Sequence, residues 1–227
     1  MTRHEKKQHI YEQFARISKA LSSPARLELL DLLTQGERSV DELATESTLS
    51  IANASQHLQV LHGARLVDSR RAGQRIIYRL AGPSVEALLQ ALRHTAEEEL
   101  AELDQVAREY LEGRDDFEPI ERAELVERLK KGSCVLIDVR PRREFEAEHL
   151  EGAVSVPLED LDAFARKAPQ RKTIVAYCRG PYCVFALDAV KRLRKRGLDA
   201  IRCEDGVSEW RLAGLPTRSA SAEGGLA

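Results

Sequence analysis

The feature that most constrains this chain is a cysteine that opens a loop between a β-rich run and an amphipathic helix. The run Thr173 to Tyr177 favours a strand, Cys178 follows it directly, and helical periodicity begins near Val184. A loop that enters a helix N-terminus points backbone N–H groups at one place, where they stabilise a thiolate or an anion bound to it. The pattern predicts an activated, nucleophilic thiol at Cys178. The alternative is a buried cysteine that only fills space.

A second predicted strand, Cys134 to Arg140, ends in the charged residues Asp138 and Arg140. Parallel sheets place their sites at this carboxyl edge, so both residues are candidates for the edge of a site. The alternative, which we favour, is an ion pair that braces the loop from beneath.

Further motifs extend the pattern along the second half of the chain: Glu144-Phe145, His149 to Ala153, and Trp210 followed by Gly214 and Pro216. From about Phe117 to Pro216 the chain resembles the rhodanese (sulfurtransferase) domain. The resemblance implies an α/β domain with a central parallel sheet. It also implies that Cys178 attacks a sulfane sulfur in thiosulfate, polysulfide or a persulfide, and carries it as a cysteine persulfide cradled by loop amides. The predicted site residues are Cys178, Arg179, Gly180, Tyr182, Cys183, Asp138 and Arg140.

Two residues of this loop leave questions open. Cys183, expected one helical turn beyond the loop, is either a resolving thiol or a core-facing side chain, and we favour the second interpretation. Phosphatases and arsenate reductases close a related loop with arginine, but that position here is Val184. A phosphate-sized oxyanion would lack its bidentate partner, which favours sulfur over phosphoryl chemistry.

The first half of the chain predicts a helix-turn-helix. One helix opens at Pro24 with Ser22 or Ser23 as its cap, Ser39 to Glu46 form the next, and Ser50 caps a helix over residues 51–64. In that last helix we expect a buried face of Ile51, Ala54, Leu58 and Leu61. The opposite face could contact base edges in the major groove, although a merely solvated face is the alternative. Its members are Asn53, Ser55, Gln56 and Gln59.

A β-hairpin follows, with strands around Ala72-Gly73-Gln74. Between residues 51 and 80 the only acid is Asp68, against several arginines, so positive charge is concentrated where a wing would meet DNA phosphates. We predict phosphate contacts from Arg70, Arg71 and Arg75.

Leu21 to Leu27, Ser55 to Leu61 and the hairpin 71–80 together resemble the ArsR/SmtB-type winged helix-turn-helix repressors, over about residues 10–105. The resemblance implies a homodimer formed by the first helix, Glu5 to Leu21, and the last, Pro83 to about Glu112, on a pseudo-palindromic double-stranded DNA operator. The apolar stripe of the last helix fits this, although packing on the second domain is the alternative. Arg65 stands where the family usually has glycine, and a left-handed backbone at this residue would cost on the order of 1 kcal/mol.

Composition and charge narrow the remaining possibilities. The 227 residues carry a formal net charge of −2, and the four cysteines are spaced too irregularly for a disulfide framework. No apolar run is long enough to span a bilayer and the start has no signal-peptide core, so we expect a cytoplasmic protein without a membrane partner. The nearest approach to a metal site is His94 with Glu97 and Glu98, and we predict neither metal nor cofactor.

The sequence therefore predicts two domains: a mainly α winged helix-turn-helix over residues 1–112 and a rhodanese-like domain over 119–218. A linker, 113–118, joins them, and a disordered tail, 219–227, follows. The predicted function is a DNA-binding repressor whose output depends on the state of Cys178. One alternative is a sulfurtransferase with the winged domain as a DNA tether, and another is a scaffold whose rhodanese-like domain only binds a partner.

Overall fold

The computed structural model describes residues 1–111 and 118–219, which divide into two compact units, Met1–Leu92 and Arg93–Ala227. The predicted linker and tail therefore lie outside the described residues, except for Glu118 and Ser219. The predicted domain limits stay predictions.

The first unit contains helices and a small antiparallel sheet. Its elements are α1 (Arg3–Leu21), α2 (Pro24–Thr34), β1 (Arg38–Ser39), α3 (Val40–Glu46), α4 (Ile51–Gly63), β2 (Val67–Ala72), β3 (Arg75–Leu80) and the start of α5 (Pro83–Glu99). β3 pairs with both β1 and β2. Ser39 and Ser50 accept the capping hydrogen bonds of α3 and α4, whereas Ser23 occupies the cap position of α2 without a side-chain bond. The predicted helix-turn-helix and hairpin are confirmed.

The core of the first unit is built from leucines of three helices, with Leu29, Leu30, Leu43, Leu58 and Leu61 all fully buried. The prediction that Ile51 joins this core is wrong, because its side chain is 57% exposed. Ile51 occupies the first turn of α4, where it projects beyond the packed part of the helix face.

The second unit is an α/β domain. Its elements are α6 (Ala101–Tyr110), α7 (Arg122–Lys130), β4 (Cys134–Asp138), α8 (Arg142–Ala147), β5 (His149–Leu150), β6 (Val154–Ser155), α9 (Leu161–Lys167), β7 (Thr173–Tyr177), α10 (Val184–Lys195), β8 (Ala200–Arg202), α11 (Val207–Leu212) and β9 (Thr217–Arg218). Strands β6, β4, β7 and β8 form a parallel sheet in that order, and β5 pairs with β9. The predicted central parallel sheet is confirmed.

Side chains of β7 alternate between two buried faces of this sheet. Ile174 and Ala176 belong to the core cluster that contains residues of α9 and α10, while Val175 and Tyr177 belong to the one that contains residues of α7 and α11. Because both faces are covered, the strand is fully buried from Ile174 to Tyr177, as expected for a parallel sheet, and Thr173 at its start is half-buried. Cys178 therefore follows directly after a buried strand, at the carboxyl edge of the sheet.

The predicted single last helix is wrong. The helix ends at Glu99, Leu100 has extended backbone angles (φ −110°, ψ 90°), and α6 begins at Ala101. Leu100 is half exposed, whereas Ala107 and Leu111 further along are buried in the second unit.

Candidate functional site

Cys178 lies in the loop that joins β7 to α10, and its side chain is 1% exposed. Its Sγ donates a hydrogen bond to the carbonyl oxygen of Cys183, 3.4 Å away. Cys183 is half-buried and occupies the residue just before α10, not a turn inside the helix as expected from the sequence. Both thiols therefore belong to the same closed loop, and all four cysteines are reduced.

The pKa values of the two thiols of the loop are shifted in opposite directions. Burial raises the pKa of Cys178 well above its ordinary value, and the neighbouring Cys183 adds to this, although N–H groups of Ala186 and Gly180 oppose it. A hydrogen bond from Cys178 lowers the pKa of Cys183 to about 7, against the effect of burial and with help from the N–H groups of Arg179 and Phe185. The sequence predicted an ionised Cys178. In this arrangement the sulfur that ionises first is Cys183, because Cys178 is the more deeply buried.

Arg179 is fixed by a carboxylate and does not project freely into the loop. Its guanidinium contacts Glu144 of α8, with Nη2 2.5 Å from Oε1 and Nε 3.1 Å from Oε2, and it lies over the ring of Phe185. Glu144 is 1% exposed. Such a bidentate pair holds the positive charge beside the loop at a defined position.

Asp138 and Arg140 form a buried pair beneath the loop. Arg140 Nη2 lies 2.6 Å from Asp138 Oδ2, and the Tyr177 hydroxyl donates to the same oxygen at 2.6 Å. Arg140 also donates to the carbonyl oxygen of Glu148. Both members of the pair are almost fully buried, so they contact the protein and not solvent. This geometry favours the bracing interpretation over a direct role at the site edge.

Two residues that the sequence analysis did not select as site residues support the loop. A Cβ atom on Gly206 would lie 2.6 Å from the carbonyl carbon and oxygen of Arg179, so the chain passes too close for any side chain. Glu209 accepts a hydrogen bond from the Gly206 N–H at 2.8 Å, and its carboxylate lies 3.6 Å from the place of a Cβ on Gly180. The sequence does offer a signal for a tight turn at Gly206, because this glycine follows Glu204 and Asp205 shortly after a predicted strand.

The cavity beside Cys178 is very small, at about 10 Å³. It is lined by residues of the loop, of α10 and of the segment 202–204, and also by Leu111, which follows α6 and is 2% exposed. The Tyr182 hydroxyl donates a hydrogen bond to Glu97 at 2.7 Å. A single water needs about 10–15 Å³ of such space, so the site as it stands has no room for a sulfur donor next to Cys178.

The candidate DNA-contacting face of α4 is open. Asn53, Gln56 and Gln59 are exposed and Ser55 is half-buried, while Ala54 and Leu58 on the opposite face are fully buried. The amide side chains therefore lie on the surface of the second helix of the helix-turn-helix, where base readout would need them.

The hairpin arginines are exposed, but acids already engage some of them. Arg70 pairs with Glu37 at 2.7 Å and Arg79 with Asp68 at 3.3 Å, and Arg71 donates to the carbonyl oxygen of Gly73. Arg75 begins β3 and is exposed. Arg65 has φ 61°, so its backbone is left-handed at the position where the family usually has glycine.

Residues 1–111 and 118–219 contain no cluster of three or more His, Cys, Asp or Glu side chains placed to hold a metal ion. His94 pairs with Glu98, 3.3 Å away on the same exposed helix face. Over the same ranges, none of the helices has both the length and the apolar character needed to cross a membrane.

Comparisons with known proteins agree with both halves of the chain. Residues 23–69 match the bacterial regulatory protein, arsR family, and residues 121–213 match the Rhodanese-like domain. Fold and site together define a transcriptional regulator with a winged helix-turn-helix and a rhodanese domain. The chain belongs to the ArsR family of HTH-type transcriptional regulators, in the form that carries a C-terminal rhodanese domain.

Individual relatives cover the chain to different extents. The HTH-type transcriptional regulator Rv0324 of Mycobacterium tuberculosis is 42% identical over 93% of both chains. The biofilm growth-associated repressor of Agrobacterium fabrum is 42% identical over 35% of this chain and 68% of its own. Among solved structures, the homodimeric winged helix-turn-helix DNA-binding domain Mb0332 of Mycobacterium bovis is 39% identical, covering 45% of this chain and 94% of that one with a TM-score of 0.42.

Proposed function

We propose that this regulator senses sulfane sulfur, and that a persulfide on Cys178, or a Cys178–Cys183 disulfide formed from it, changes its affinity for a double-stranded DNA operator. The observation that carries the proposal is the loop itself. Cys178 stands directly after β7, its Sγ lies 3.4 Å from the carbonyl oxygen of Cys183, and the same closed loop holds both thiols. Thiosulfate, polysulfide and persulfides are the candidate donors, and each of them needs the loop to open, because the cavity beside Cys178 measures only about 10 Å³.

The size of the cavity favours a sensor over a sulfurtransferase. An enzyme must admit thiosulfate and an acceptor in every cycle, whereas about 10 Å³ beside Cys178 leaves room for neither. We therefore expect one slow loading event per chain. Repeated turnover with thiosulfate and cyanide, abolished in Cys178→Ser, would support the enzyme instead.

The DNA-binding half acts as a repressor through two sets of residues. Asn53, Ser55, Gln56 and Gln59 of α4 contact base edges, since amides suit adenine and hydroxyls accept or donate to several bases. Arg70, Arg71 and Arg75 of the hairpin contact phosphates. For Arg70 this requires the Glu37 pair, which is more than 40% exposed on both sides and therefore weak, to open on DNA. A protein with this role acts in the cytoplasm.

Exposed apolar side chains support a homodimer. Ile10, Tyr11 and Phe14 of α1 are each more than half exposed, and Leu88 and Leu92 of α5 are about 40% exposed. Large apolar groups left in contact with water on neighbouring turns of a helix mark an interaction surface. A second copy of the chain covers these residues and sets two α4 helices on a pseudo-palindrome. Sedimentation equilibrium of the full chain tests the dimer, and a monomer at micromolar concentration would contradict it.

A mobility-shift titration with polysulfide tests the sensing proposal. The DNA is a duplex selected for binding to the reduced protein, and the wild type is compared with Cys178→Ser. We expect polysulfide to change the affinity of the wild type only, and a reductant to reverse the change. Identical responses of the two proteins would refute the proposal.

A further inference from the structure

A chain segment that precedes the rhodanese match lies against the cysteine loop. The match begins at residue 121, whereas residues 93–111, named here the cover segment, contain the end of α5 and all of α6. The cover segment belongs to the same compact unit as the loop. Three of its side chains contact or enclose the loop, each at a different place.

The first contact is the ion pair between Arg93 and Glu209. The Glu209 side chain is 9% exposed and also accepts the N–H of Gly206. A Cβ at Gly180 would lie 3.6 Å from both carboxylate oxygens of Glu209 and 3.7 Å from Arg93 Nη1. The pair therefore packs against the backbone of the loop two residues after the nucleophile. Because one partner is largely buried, solvent and salt screen this pair less than a surface pair.

The second contact is the hydrogen bond from the Tyr182 hydroxyl to Glu97 Oε1, at 2.7 Å. Glu97 lies one helical turn after Arg93 in α5, and Arg93 Nε is 3.9 Å from the same oxygen. One turn of the helix thus holds the loop at both Tyr182 and Gly180. A hydrogen bond to a carboxylate is stronger than one between neutral groups.

The third contact is apolar. Leu111, which follows α6, is 2% exposed and lines the cavity of about 10 Å³ beside Cys178. A sulfur donor is much larger than the single water that such a volume can hold, so it cannot enter while this wall is in place. Displacement of Leu111 with the rest of the cover segment would remove one wall of the cavity.

We propose that the cover segment is a lid on the cysteine loop, held closed by these three contacts, and that sulfur donors reach Cys178 only while the lid is open. The inference rests on the proposed sulfur sensing and specifies how that site is regulated. The lid sets the rate at which the sensor loads.

A reaction that proceeds only through an open state has an observed rate equal to the open population multiplied by the rate in that state. Removing a hydrogen bond that exists only in the closed state raises this population. The usual net contribution of one hydrogen bond corresponds to an increase of about three- to tenfold.

Alkylation of Cys178 by iodoacetamide in the full chain tests the lid without any sulfur donor. Trypsin cleaves after Arg179, so Cys178 and Cys183 fall in separate peptides and their rates are measured separately. Tyr182→Phe removes the hydroxyl and leaves every charge in place. We expect Cys178 to react about three- to tenfold faster in this variant than in wild type. Equal rates would overturn the inference.

Two carboxylates of α5 supply the matched comparison. Glu97→Ala should accelerate alkylation as much as Tyr182→Phe, and the double variant should be no faster than either, because both changes remove one contact. Multiplied effects in the double variant would overturn the inference. Glu98→Ala is the control, since Glu98 pairs only with the exposed His94 among the printed ion pairs and should change the rate by no more than about twofold.

A buried cysteine elsewhere in the domain reports whether opening is local. Cys134 begins β4, at the opposite edge of the sheet from Cys178, and is 8% exposed. Its alkylation rate should be the same in wild type and Tyr182→Phe. An increase at Cys134 equal to that at Cys178 would mean that the whole domain opens, and the lid would be wrong.

Treatment of the same proteins with inorganic polysulfide, followed by mass spectrometry of the full chain, separates the two proposals. We expect Tyr182→Phe to load faster than wild type by the same factor as in alkylation. If polysulfide modifies neither protein although Tyr182→Phe is alkylated faster, the lid stands and the proposed sulfur sensing is wrong. If both proteins load at one rate and are alkylated at one rate, the sensing stands and the lid is wrong.

Discussion

The backbone of Arg179 passes so close to Gly206 that a methyl group at position 206 would lie 2.6 Å from both the carbonyl carbon and the carbonyl oxygen of Arg179. Gly206 also donates its N–H to Glu209 at the start of α11. Gly206 therefore connects the start of α11 to Arg179, the residue that follows Cys178. Any side chain there must push the loop out of place.

Gly206→Ala is therefore expected to destabilise the second domain by about 1–3 kcal/mol, the usual effect of overpacking. It should also slow polysulfide loading of the folded protein. Urea unfolding and the mass-spectrometric assay measure the two effects. Gly82→Ala is the matched control, because nothing lies within 4 Å of a Cβ at Gly82 and its φ is not left-handed. If the two variants had the same free energy of unfolding and the same loading rate, the close contact between Gly206 and the loop would not constrain it.

Asp138→Ala should lower the free energy of unfolding by about 3–5 kcal/mol, because it leaves the Arg140 guanidinium buried without its carboxylate. The exposed Arg142–Asp160 pair offers a control, and Asp160→Ala should cost no more than about 1 kcal/mol. Denaturant titration gives both values. A stable Asp138→Ala protein with inactive cysteines would contradict the bracing role and place Asp138 in the chemistry.

Alkylation of Cys183 should depend on pH with a midpoint of about 7. The thiolate is the reactive form, so the rate rises as pH increases through 7 and then levels off. Cys178, whose pKa burial raises, should react slowly throughout this range. Iodoacetamide kinetics resolved by peptide mapping provide the profile, and in Cys178→Ala, which has no donor at this position, the midpoint should move upward because the hydrogen bond from residue 178 is lost. An unchanged midpoint there would contradict the thiol-to-thiol contact.

Gln56 and Arg75 should respond differently to alanine, because one contacts a base and the other a phosphate. Gln56→Ala should lose about 1–3 kcal/mol of binding to the selected duplex and little on random DNA. Arg75→Ala should weaken both duplexes and reduce the salt slope by about one. Fluorescence anisotropy at several salt concentrations separates the two patterns. A matched loss on both duplexes for Gln56→Ala would exclude base readout by this side chain.

Local patterns in the sequence predicted most of the fold. Ser39 and Ser50 cap the two helices of the helix-turn-helix. The apolar run before Cys178 predicted strand β7, and the helical periodicity after the cysteine loop predicted helix α10. These features depend on neighbours a few residues away. The left-handed Arg65 is of the same kind, since it follows from a missing glycine at a helix end.

What the sequence could not predict depends on distant packing. Ile51 has the correct helical spacing, yet no side chain covers the first turn of α4. The break at Leu100 interrupts an apolar stripe that runs on through this residue in the sequence, so periodicity alone could not locate it. The ionisation order of the two thiols follows from the burial of Cys178 and from the hydrogen bond that it gives to Cys183, both of which only the folded loop defines.

The central claim is that oxidation of the loop thiols by sulfane sulfur changes DNA affinity, and one experiment measures both quantities on the same samples. The dissociation constant for the selected duplex is determined by anisotropy at fixed salt while mass spectrometry gives the fraction of chains with a modified Cys178–Cys183 pair. The account predicts that the affinity changes in proportion to this fraction, reverses with reductant, and stays constant in Cys178→Ser. An affinity that does not change when the thiols are fully modified would contradict it.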